Sequence, residues 1–130
     1  MSTEKVRVAI VGGGRTGTPL LKALLDRPFV EVVGLADMDL DSEGARLARD
    51  AGALVCQNAD VLAAQGDEID VIIEVSGDPA VKPALKEAFI AQGNKTTVIV
   101  PDVVARLIMS LAVQSDTLIE TYHPHDVGIG

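Results

Sequence analysis

The hydrophobic positions of the chain alternate between short continuous runs and longer stretches with helical spacing. Short apolar runs of this kind are typical of strands that are buried on both faces of a parallel sheet. The runs predict five strands, at residues 6–11, 30–36, 53–56, 70–75 and 97–100. The intervening stretches predict helices around residues 20–25, at 43–51, around 61–63, through 85–93 and from about 102 to 114.

Residues with strong positional preferences support several of these boundaries. Ser42 or Asp41 is suited to cap the second helix, and Pro79 is suited to the first turn of the fourth. Strands that alternate with helices predict an α/β fold with a doubly wound parallel sheet, a Rossmann fold, in a single domain. We assign residues 1–114 to this domain and residues 115–130 to a C-terminal tail. Right-handed crossovers then predict the strand order 3-2-1-4-5.

The composition agrees with a helix-flanked parallel sheet. The chain has 130 residues, of which 48% are hydrophobic and only 2% are aromatic. This length is enough for one domain with a substantial core, and that core is expected to consist of Val, Ile, Leu and Ala.

The first strand runs directly into a glycine-rich turn that opens a helix. Gly12, Gly14 and Gly17 satisfy the pattern G-x-G-x-x-G. In a dinucleotide-binding turn, the first glycine permits the tight turn and the second lets the backbone approach a pyrophosphate. The third lets the helix pack closely on the strand. Arg15 and Thr16 are candidate pyrophosphate contacts, and the alternative is an exposed arginine and a packing threonine.

A carboxylate follows the second strand at the distance that this kind of site requires. Asp37 lies twenty residues after Gly17, where a dinucleotide-binding domain places the group that hydrogen-bonds the adenosine ribose. Asp39 and Asp41 add negative charge nearby, which would repel a 2′-phosphate. The sequence therefore predicts NAD as the cofactor, in preference to NADP.

The remaining part of the predicted site comes from the fourth strand. Ligands of open α/β sheets bind beyond the carboxyl ends of the strands, at the point where the strand order reverses. The segment 76–78 should meet the glycine turn there, which makes Ser76 and Gly77 candidate cofactor-binding residues. Glu74 ends the strand, and it either neighbours the cofactor or caps a nearby backbone amide.

Charge and cysteine content exclude other classes of partner. The formal net charge is −8 and the isoelectric point is about 4.5, which disfavours nucleic acid and anionic membrane surfaces. The single Cys56 forms no internal disulfide and is expected to be a small buried hydrophobe. The sequence shows no signal core or membrane span, so we expect a soluble, cytoplasmic protein.

The tail offers few other chemical candidates. His123, His125 and Asp126 do not have convincing metal-ligand spacing, because alternating positions of an extended segment point to opposite sides. We expect no metal site, and we interpret residues 122–126 as a polar tail that packs on the domain or a partner. The last helix is more apolar than one buried face needs, which predicts a homo-oligomer or a protein partner.

Three segments resemble the N-terminal domain of the glucose–fructose oxidoreductase/inositol dehydrogenase family, and more distantly that of homoserine dehydrogenase. They are VAIVGGG at residues 8–14, VGLAD at 33–37 and DVIIEVSG at 70–77. The resemblance covers roughly residues 5–112. It implies a nicotinamide dinucleotide bound across residues 12–17, with Asp37 on the adenosine ribose and Ser76 and Gly77 near the middle of the cofactor.

The sequence departs from that family in two respects. The family has a substrate domain after its sixth strand, and the chain ends before such a domain. Many members also carry a segment like G-K-H-V-x-C-E-K-P, whose lysine lies by the nicotinamide. Residues 93–101 match it without a gap, but Ile99 and Val100 replace the Glu and the Lys. A valine cannot transfer a proton, so we assign no catalytic residue.

These features leave three hypotheses for function. The favoured one is a stand-alone NAD(H)-binding module that acts as a sensor, a regulatory subunit or a partner-completed subunit. The second is an NAD-dependent oxidoreductase whose substrate site is completed by another chain or a missing domain. The third is a Rossmann-like domain that has lost its ligand and serves as an interaction platform.

Overall fold

A computed structural model of the protein describes residues 4–12 and 17–119. Five parallel strands form one sheet in the order β3-β2-β1-β4-β5, as the sequence predicts. The strands are β1 (Val6–Val11), β2 (Val30–Ala36), β3 (Leu54–Cys56), β4 (Val71–Glu74) and β5 (Val98–Ile99).

Within the described residues, five α-helices cover the two faces of the sheet. They are α1 (Gly17–Leu25), α2 (Glu43–Asp50), α3 (Ala59–Ala63), α4 (Val81–Ala91) and α5 (Asp102–Ala112). A short 3₁₀ turn at Gly66–Glu68 leads into β4. The predicted α/β Rossmann fold is therefore confirmed.

The core consists of two aliphatic clusters, one on each face of the sheet. The first joins the sheet to α1, α2 and α5, and its buried members include Ile10, Leu21, Leu35, Ile73 and Met109. The second joins the sheet to α3 and α4, and its buried members include Ala9, Leu62, Ile72, Leu85 and Phe89. Successive residues of β1 and β4 alternate between the clusters, whereas in β2 a register shift beside Gly34 places both Val32 and Leu35 in the first cluster.

Several predicted elements are longer than the structure shows, among them the fourth strand, which is predicted over residues 70–75 and spans Val71–Glu74. The fifth strand is predicted over four residues and has two, because Thr97 is engaged outside the ladder. Its hydroxyl donates to the carbonyl oxygen of Ile69 at 2.7 Å, and its amide donates to Oδ1 of Asn94 at 3.2 Å. Val100 N still donates to Ile72 O at 3.0 Å, so one sheet hydrogen bond continues past β5. The last helix ends at Ala112, two residues before the predicted Gln114.

An ion pair ties β1 to the beginning of β4 at the amino edge of the sheet. Nη2 and Nε of Arg7 lie 2.9 and 3.1 Å from the two carboxylate oxygens of Asp70, which also accepts from Arg7 N at 2.9 Å. These hydrogen bonds lower the pKa of Asp70 below its ordinary value. The pair lies at the opposite edge from the glycine turn, so its role is structural.

The structure leaves some predictions untouched. Within residues 4–12 and 17–119, no helix is long and apolar enough to cross a membrane. The same part of the chain contains no cluster of side chains that could hold a metal ion. His123, His125, Asp126 and the rest of residues 120–130 lie outside the described residues.

Candidate functional site

Three strands end level with one another at the carboxyl edge of the sheet. In the register of the sheet, Val11 at the end of β1 lies opposite Ala36 of β2 and Glu74 of β4. The residues that follow them, Gly12, Asp37 and the turn after β4, are therefore brought to one place. This convergence was predicted from the strand order.

The end of β1 and Gly12, the first residue of the glycine motif, are held between the two neighbouring strands. Gly12 N donates to Ala36 O at 2.7 Å, and Val75 N donates to Val11 O at 2.9 Å. Gly12 itself has a φ of +103°, a backbone conformation that residues with a Cβ rarely adopt. The candidates Gly14, Arg15 and Thr16 lie outside the described residues.

Backbone from the turn after β4 lies against the open side of Gly12. A Cβ built on Gly12 would lie 2.9 Å from Ser76 N and 3.0 Å from Ser76 Cα. Such distances are shorter than van der Waals contact, so a side chain at Gly12 would force the two turns apart. The first glycine of the motif therefore permits a close approach of two turns, besides the bend itself.

Gly17, the first residue of α1, lies directly against the same turn. A Cβ at this position would overlap the carbonyl oxygen of Gly12 and contact the side chain of Ile10. The helix therefore begins immediately over the end of β1. The backbone N–H groups of a first helical turn have no intrahelical acceptor, and such an N-terminus suits an anion.

Asp37 is held in a fixed orientation after β2. Its amide donates to Cys56 O at 2.8 Å. Its Oδ1 accepts from Asp39 N at 3.0 Å, and its Oδ2 accepts from Ser42 Oγ at 2.6 Å. A carboxylate oxygen has two lone pairs, so each oxygen keeps the capacity to accept a further hydrogen bond.

Ser42 is the capping residue of α2 that the sequence left open between two candidates. Its Oγ accepts from Ala45 N at 3.1 Å while donating to Asp37. The sequence predicts the cap but not the link between the cap and the ribose-binding candidate. The sequence did contain a signal for this link, because Ser42 lies five residues after Asp37 and is already a candidate for the start of the second helix.

The turn after β4 is organised by the side chain of Glu74. This residue is only 2% exposed, and its Oε1 accepts from Ser76 N at 2.7 Å and from the hydroxyl of Ser76. Ser76 Oγ in turn accepts from Asp78 N at 3.1 Å. Of the two roles left open for Glu74, the structure shows the hydrogen bond to a nearby backbone amide.

The fourth helix starts later than Pro79 suggests. Asp78 Oδ1 accepts from Ala80 N at 2.9 Å, which holds Pro79 in a turn, and α4 begins at Val81. Lys82 in its first turn is 6% exposed, although the sequence did not single it out. Its spacing from Leu85 and Phe89, three and seven positions, is the signal that would have placed it on the buried face.

A depression of about 170 Å³ lies between the first turns of α3 and α4. Its lining combines apolar side chains with a carboxamide and a carboxylate. Its lining residues are Asn58, Ala59, Asp60, Ala80, Val81, Ala84 and Leu85. Cys56 lies beside it at the end of β3, with Sγ 3.4 Å from Asn58 O, and burial raises the pKa of its thiol. Cys56 is thus the buried residue that the sequence predicts.

Similar proteins were found by sequence among acetaldehyde dehydrogenases, and no family model matches the chain. The protein is 35% identical over 81 residues to an acetaldehyde dehydrogenase of Roseiflexus sp. (strain RS-1), covering 62% of this chain and 27% of that protein. It is 41% identical over 54 residues to acetaldehyde dehydrogenase 2 of Dechloromonas aromatica (strain RCB), covering 42% and 18%. The chain thus spans about a quarter or less of the curated relatives it matches.

Solved structures with similar folds include several dehydrogenases. GenD2 from gentamicin A biosynthesis, in complex with NAD, matches 88% of this chain and 33% of its own, with a TM-score of 0.56 and 24% identity. The myo-inositol 2-dehydrogenase of Lactobacillus plantarum matches 86% and 34%, with a TM-score of 0.54 and 21% identity. Homoserine dehydrogenase of S. aureus matches 87% and 30%, with a TM-score of 0.57 and 12% identity.

The chain has a Rossmann fold. The similar structures include the two groups that the sequence resembles, inositol dehydrogenases and homoserine dehydrogenase. The resemblance is therefore confirmed for the fold. The acetaldehyde dehydrogenases were not anticipated, and they add an oxidoreductase class that the three quoted segments do not reveal.

Proposed function

We propose that this Rossmann domain binds NAD(H). The observation that carries the proposal is the close approach of Gly12 to Ser76 and of Gly17 to Gly12, which brings backbone groups together at the carboxyl edge of the sheet. A backbone cradle of this kind at a helix N-terminus fits a pyrophosphate. The NAD complex of GenD2 and the sequence relatives support the same assignment.

The parts of the cofactor can be assigned to the three loops. Residues 12–17 would hold the pyrophosphate, with Arg15 and Thr16 as side-chain contacts. Asp37 would accept hydrogen bonds from the adenosine ribose, since its carboxylate is oriented and retains acceptor capacity. The depression between α3 and α4 would receive the adenine against its apolar side chains. Ser76 and Gly77 would lie near the middle of the cofactor.

We further propose that the proton-transfer chemistry of a dehydrogenase is supplied from outside this domain. Bound NAD⁺ would provide a hydride acceptor, and NADH a hydride donor. Val100, at the position where the resembling family carries a lysine, is 4% exposed and belongs to the aliphatic cluster with Ala105 and Met109. The domain would then act as a sensor, a regulatory subunit or a subunit completed by another chain.

A second candidate is the cofactor domain of an acetaldehyde dehydrogenase-like oxidoreductase. The observation that favours it is the 35% identity over 81 residues to the Roseiflexus enzyme. In that case the substrate would be an aldehyde, and its site would be completed by another domain or chain. The two candidates share the cofactor site and differ in whether the completed protein turns over substrate.

Calorimetric titration of the protein with NAD⁺ and NADH tests the proposal. The informative variant is Gly12→Val, because its Cβ would meet Ser76 N and Cα. Gly93→Val is the matched control: Gly93 also has a positive φ, but a Cβ there would have no atom within 4 Å. We expect binding to the wild-type and control proteins and loss of binding in Gly12→Val. Absence of binding to folded wild-type protein would contradict the proposal.

A further inference from the structure

We propose that Glu74 is a positioning residue, which holds the turn after β4 against the glycine turn and so sets the shape of the cofactor crevice. This inference rests on the proposed NAD(H) binding for its functional consequence. It assigns to Glu74 no contact with the cofactor. Its evidence is the pattern of hydrogen bonds around one buried carboxylate.

The first step is the location of Glu74 at the point where the sheet ladder ends. Val75 N still donates across the sheet to Val11 O at 2.9 Å. Ser76 N, the next amide, donates to the Oε1 of Glu74 at 2.7 Å, within its own segment. The carboxylate of Glu74 therefore accepts from Ser76 N, the first amide after β4 that no longer donates across the sheet.

The second step is the cost of placing a carboxylate there. Glu74 is 2% exposed, and an acidic group in that environment requires hydrogen bonds to offset its desolvation. Both the amide and the hydroxyl of Ser76 donate to the same oxygen, Oε1. Hydrogen bonds to a charged group are stronger than those between neutral groups. Ser76 is thereby fixed at two atoms.

The third step connects Ser76 to the glycine turn. Ser76 N and Cα are among the atoms nearest to a Cβ built on Gly12, at 2.9 and 3.0 Å. The position of Ser76 thus defines how far the wall of the crevice stands from Gly12. A turn released from Glu74 could move relative to the backbone that is expected to hold the pyrophosphate.

The same carboxylate also influences the start of α4. Ser76 Oγ accepts from Asp78 N at 3.1 Å, and Asp78 Oδ1 accepts from Ala80 N at 2.9 Å. These hydrogen bonds form an unbroken series from Glu74 to Ala80, the residue just before α4. Ala80 and Val81 line the depression between α3 and α4, so the pyrophosphate and adenine regions share this support.

Two substitutions separate positioning from direct contact with the cofactor. Glu74→Gln keeps an oxygen that can accept from both donors of Ser76 but removes the charge. Glu74→Met removes the acceptor and the buried charge while keeping a similar side-chain volume. Loss of this acceptor leaves both donors of Ser76 without it, which lowers stability, so the folded state of the Met variant is verified by circular dichroism before its binding is measured.

The experiment combines two measurements on the whole chain. Amide hydrogen exchange in the absence of cofactor reports Ser76 and Gly12, with Ile10 in β1 as the internal reference. Calorimetry reports the dissociation constant for NAD⁺. In Glu74→Met we expect exchange at Ser76 to accelerate by about tenfold or more, and NAD⁺ binding to weaken by about tenfold, as for a lost hydrogen bond to a charged group. In Glu74→Gln we expect both values to change clearly less than in Glu74→Met, because the acceptor oxygen is retained although its charge is lost.

Several results would overturn the inference. One is unchanged exchange and unchanged binding in Glu74→Met; another is equal loss of binding in the Gln and Met variants, which would indicate that the charge acts on the cofactor directly. If Glu74→Met does not fold, Ser76→Ala replaces it, and faster exchange at Gly12 is expected there; wild-type exchange would count against positioning. If wild-type protein binds no NAD⁺, the proposed function fails, while the exchange measurement still decides the role of Glu74.

Discussion

The hydroxyl of Ser42 donates a 2.6 Å hydrogen bond to Oδ2 of Asp37 while it accepts one from Ala45 N at 3.1 Å. One serine therefore caps α2 and orients the carboxylate that is expected to bind the adenosine ribose. Because the cap restrains its hydroxyl, Asp37 presents its remaining lone pairs in a defined direction before any ligand arrives. Such an arrangement would lower the ordering cost of the proposed ribose binding.

We expect the protein to bind NAD⁺ more tightly than NADP⁺, since a 2′-phosphate would meet the carboxylate of Asp37. Asp37→Ala should weaken NAD⁺ binding by about 1–3 kcal/mol, the usual effect of losing hydrogen bonds to a charged group, and should reduce the discrimination against NADP⁺. Calorimetric titration with both cofactors measures this. Asp41→Asn, which also removes one negative charge from the loop, is the control and should change NAD⁺ binding little. Tighter binding of NADP⁺ to the wild-type protein would refute the assignment.

Gly17→Ala should abolish NAD(H) binding, because its methyl group would overlap the carbonyl oxygen of Gly12 and displace either the helix or the turn. The stability loss should be about 1–3 kcal/mol, as for overpacking. Gly93→Ala is the comparison, since it places a methyl group at φ +71° in open space and costs about 1–2 kcal/mol through backbone strain alone. Chemical denaturation and calorimetry together check both variants. Wild-type cofactor affinity in Gly17→Ala would contradict the close approach.

The ion pair between Arg7 and Asp70 should make stability depend on acid pH. The pKa of Asp70 is lowered in the folded state, so this group stabilises the fold above its unfolded pKa of about 3.9. That contribution is lost as the pH falls through the lower folded-state pKa. Asp70→Asn should therefore reduce the melting temperature at pH 7, and the difference from wild type should shrink below about pH 4. A difference that is equal at pH 7 and pH 3 would exclude this origin.

The outer face of α5 should mediate self-association or partner binding. It exposes apolar side chains that are not needed for the core, namely Val103, Val104, Leu107 and Leu111. Leu111 is 70% exposed. We expect dimers by light scattering at micromolar concentration and their loss in the double variant Leu107→Glu/Leu111→Glu. Ile90→Glu on α4, 78% exposed on the other side of the sheet, should leave association unchanged. A monomer at all concentrations, with no partner, would contradict the prediction.

The chain alone should show no dehydrogenase turnover, although it binds NAD(H). Hydride transfer needs a substrate held within about 3–3.5 Å of the nicotinamide and a group that moves a proton. Val100 is buried in the core and supplies no such group. Without positioning and acid–base help, the rate should fall by several powers of ten. The absorbance of reduced cofactor, followed with acetaldehyde, sugars, polyols and hydroxy acids, provides the test. Robust turnover that Gly12→Val abolishes would favour a complete enzyme.

The strand order and the convergence of three loops could be predicted because they depend on periodicity and chirality. Alternating strands and helices specify parallel neighbours, and right-handed crossovers then leave few topologies. Cys56 and Ser42 could likewise be placed from local preferences. These rules concern the direction of the backbone and the burial of side chains. Both can be inferred from the order of polar and apolar residues along the chain.

The side-chain network at the site was harder to predict, because it depends on competition between acceptors. Pro79 suits a first helical turn, but the carboxylate of Asp78 accepts a hydrogen bond from the amide of Ala80, and α4 begins only at Val81. Thr97 suits a strand, but its hydroxyl bonds to the segment before β4. The depression between α3 and α4 depends on the separation of two helix starts, which no local pattern encodes.

The placement of α5 has a consequence for the order of folding. The cluster under α3 and α4 takes both of its helices from residues 59–91, whereas the opposite cluster needs α1 and α2 together with Val100, Ala105 and Met109 from much later in the chain. Contacts between distant segments form slowly, since they carry a larger loop-closure cost. During synthesis, the core on the side of the sheet that packs against α1 therefore cannot be completed until α5 has left the ribosome. A nascent chain that ends before residue 100 would expose that side as an open aliphatic surface, vulnerable to aggregation until α5 arrives.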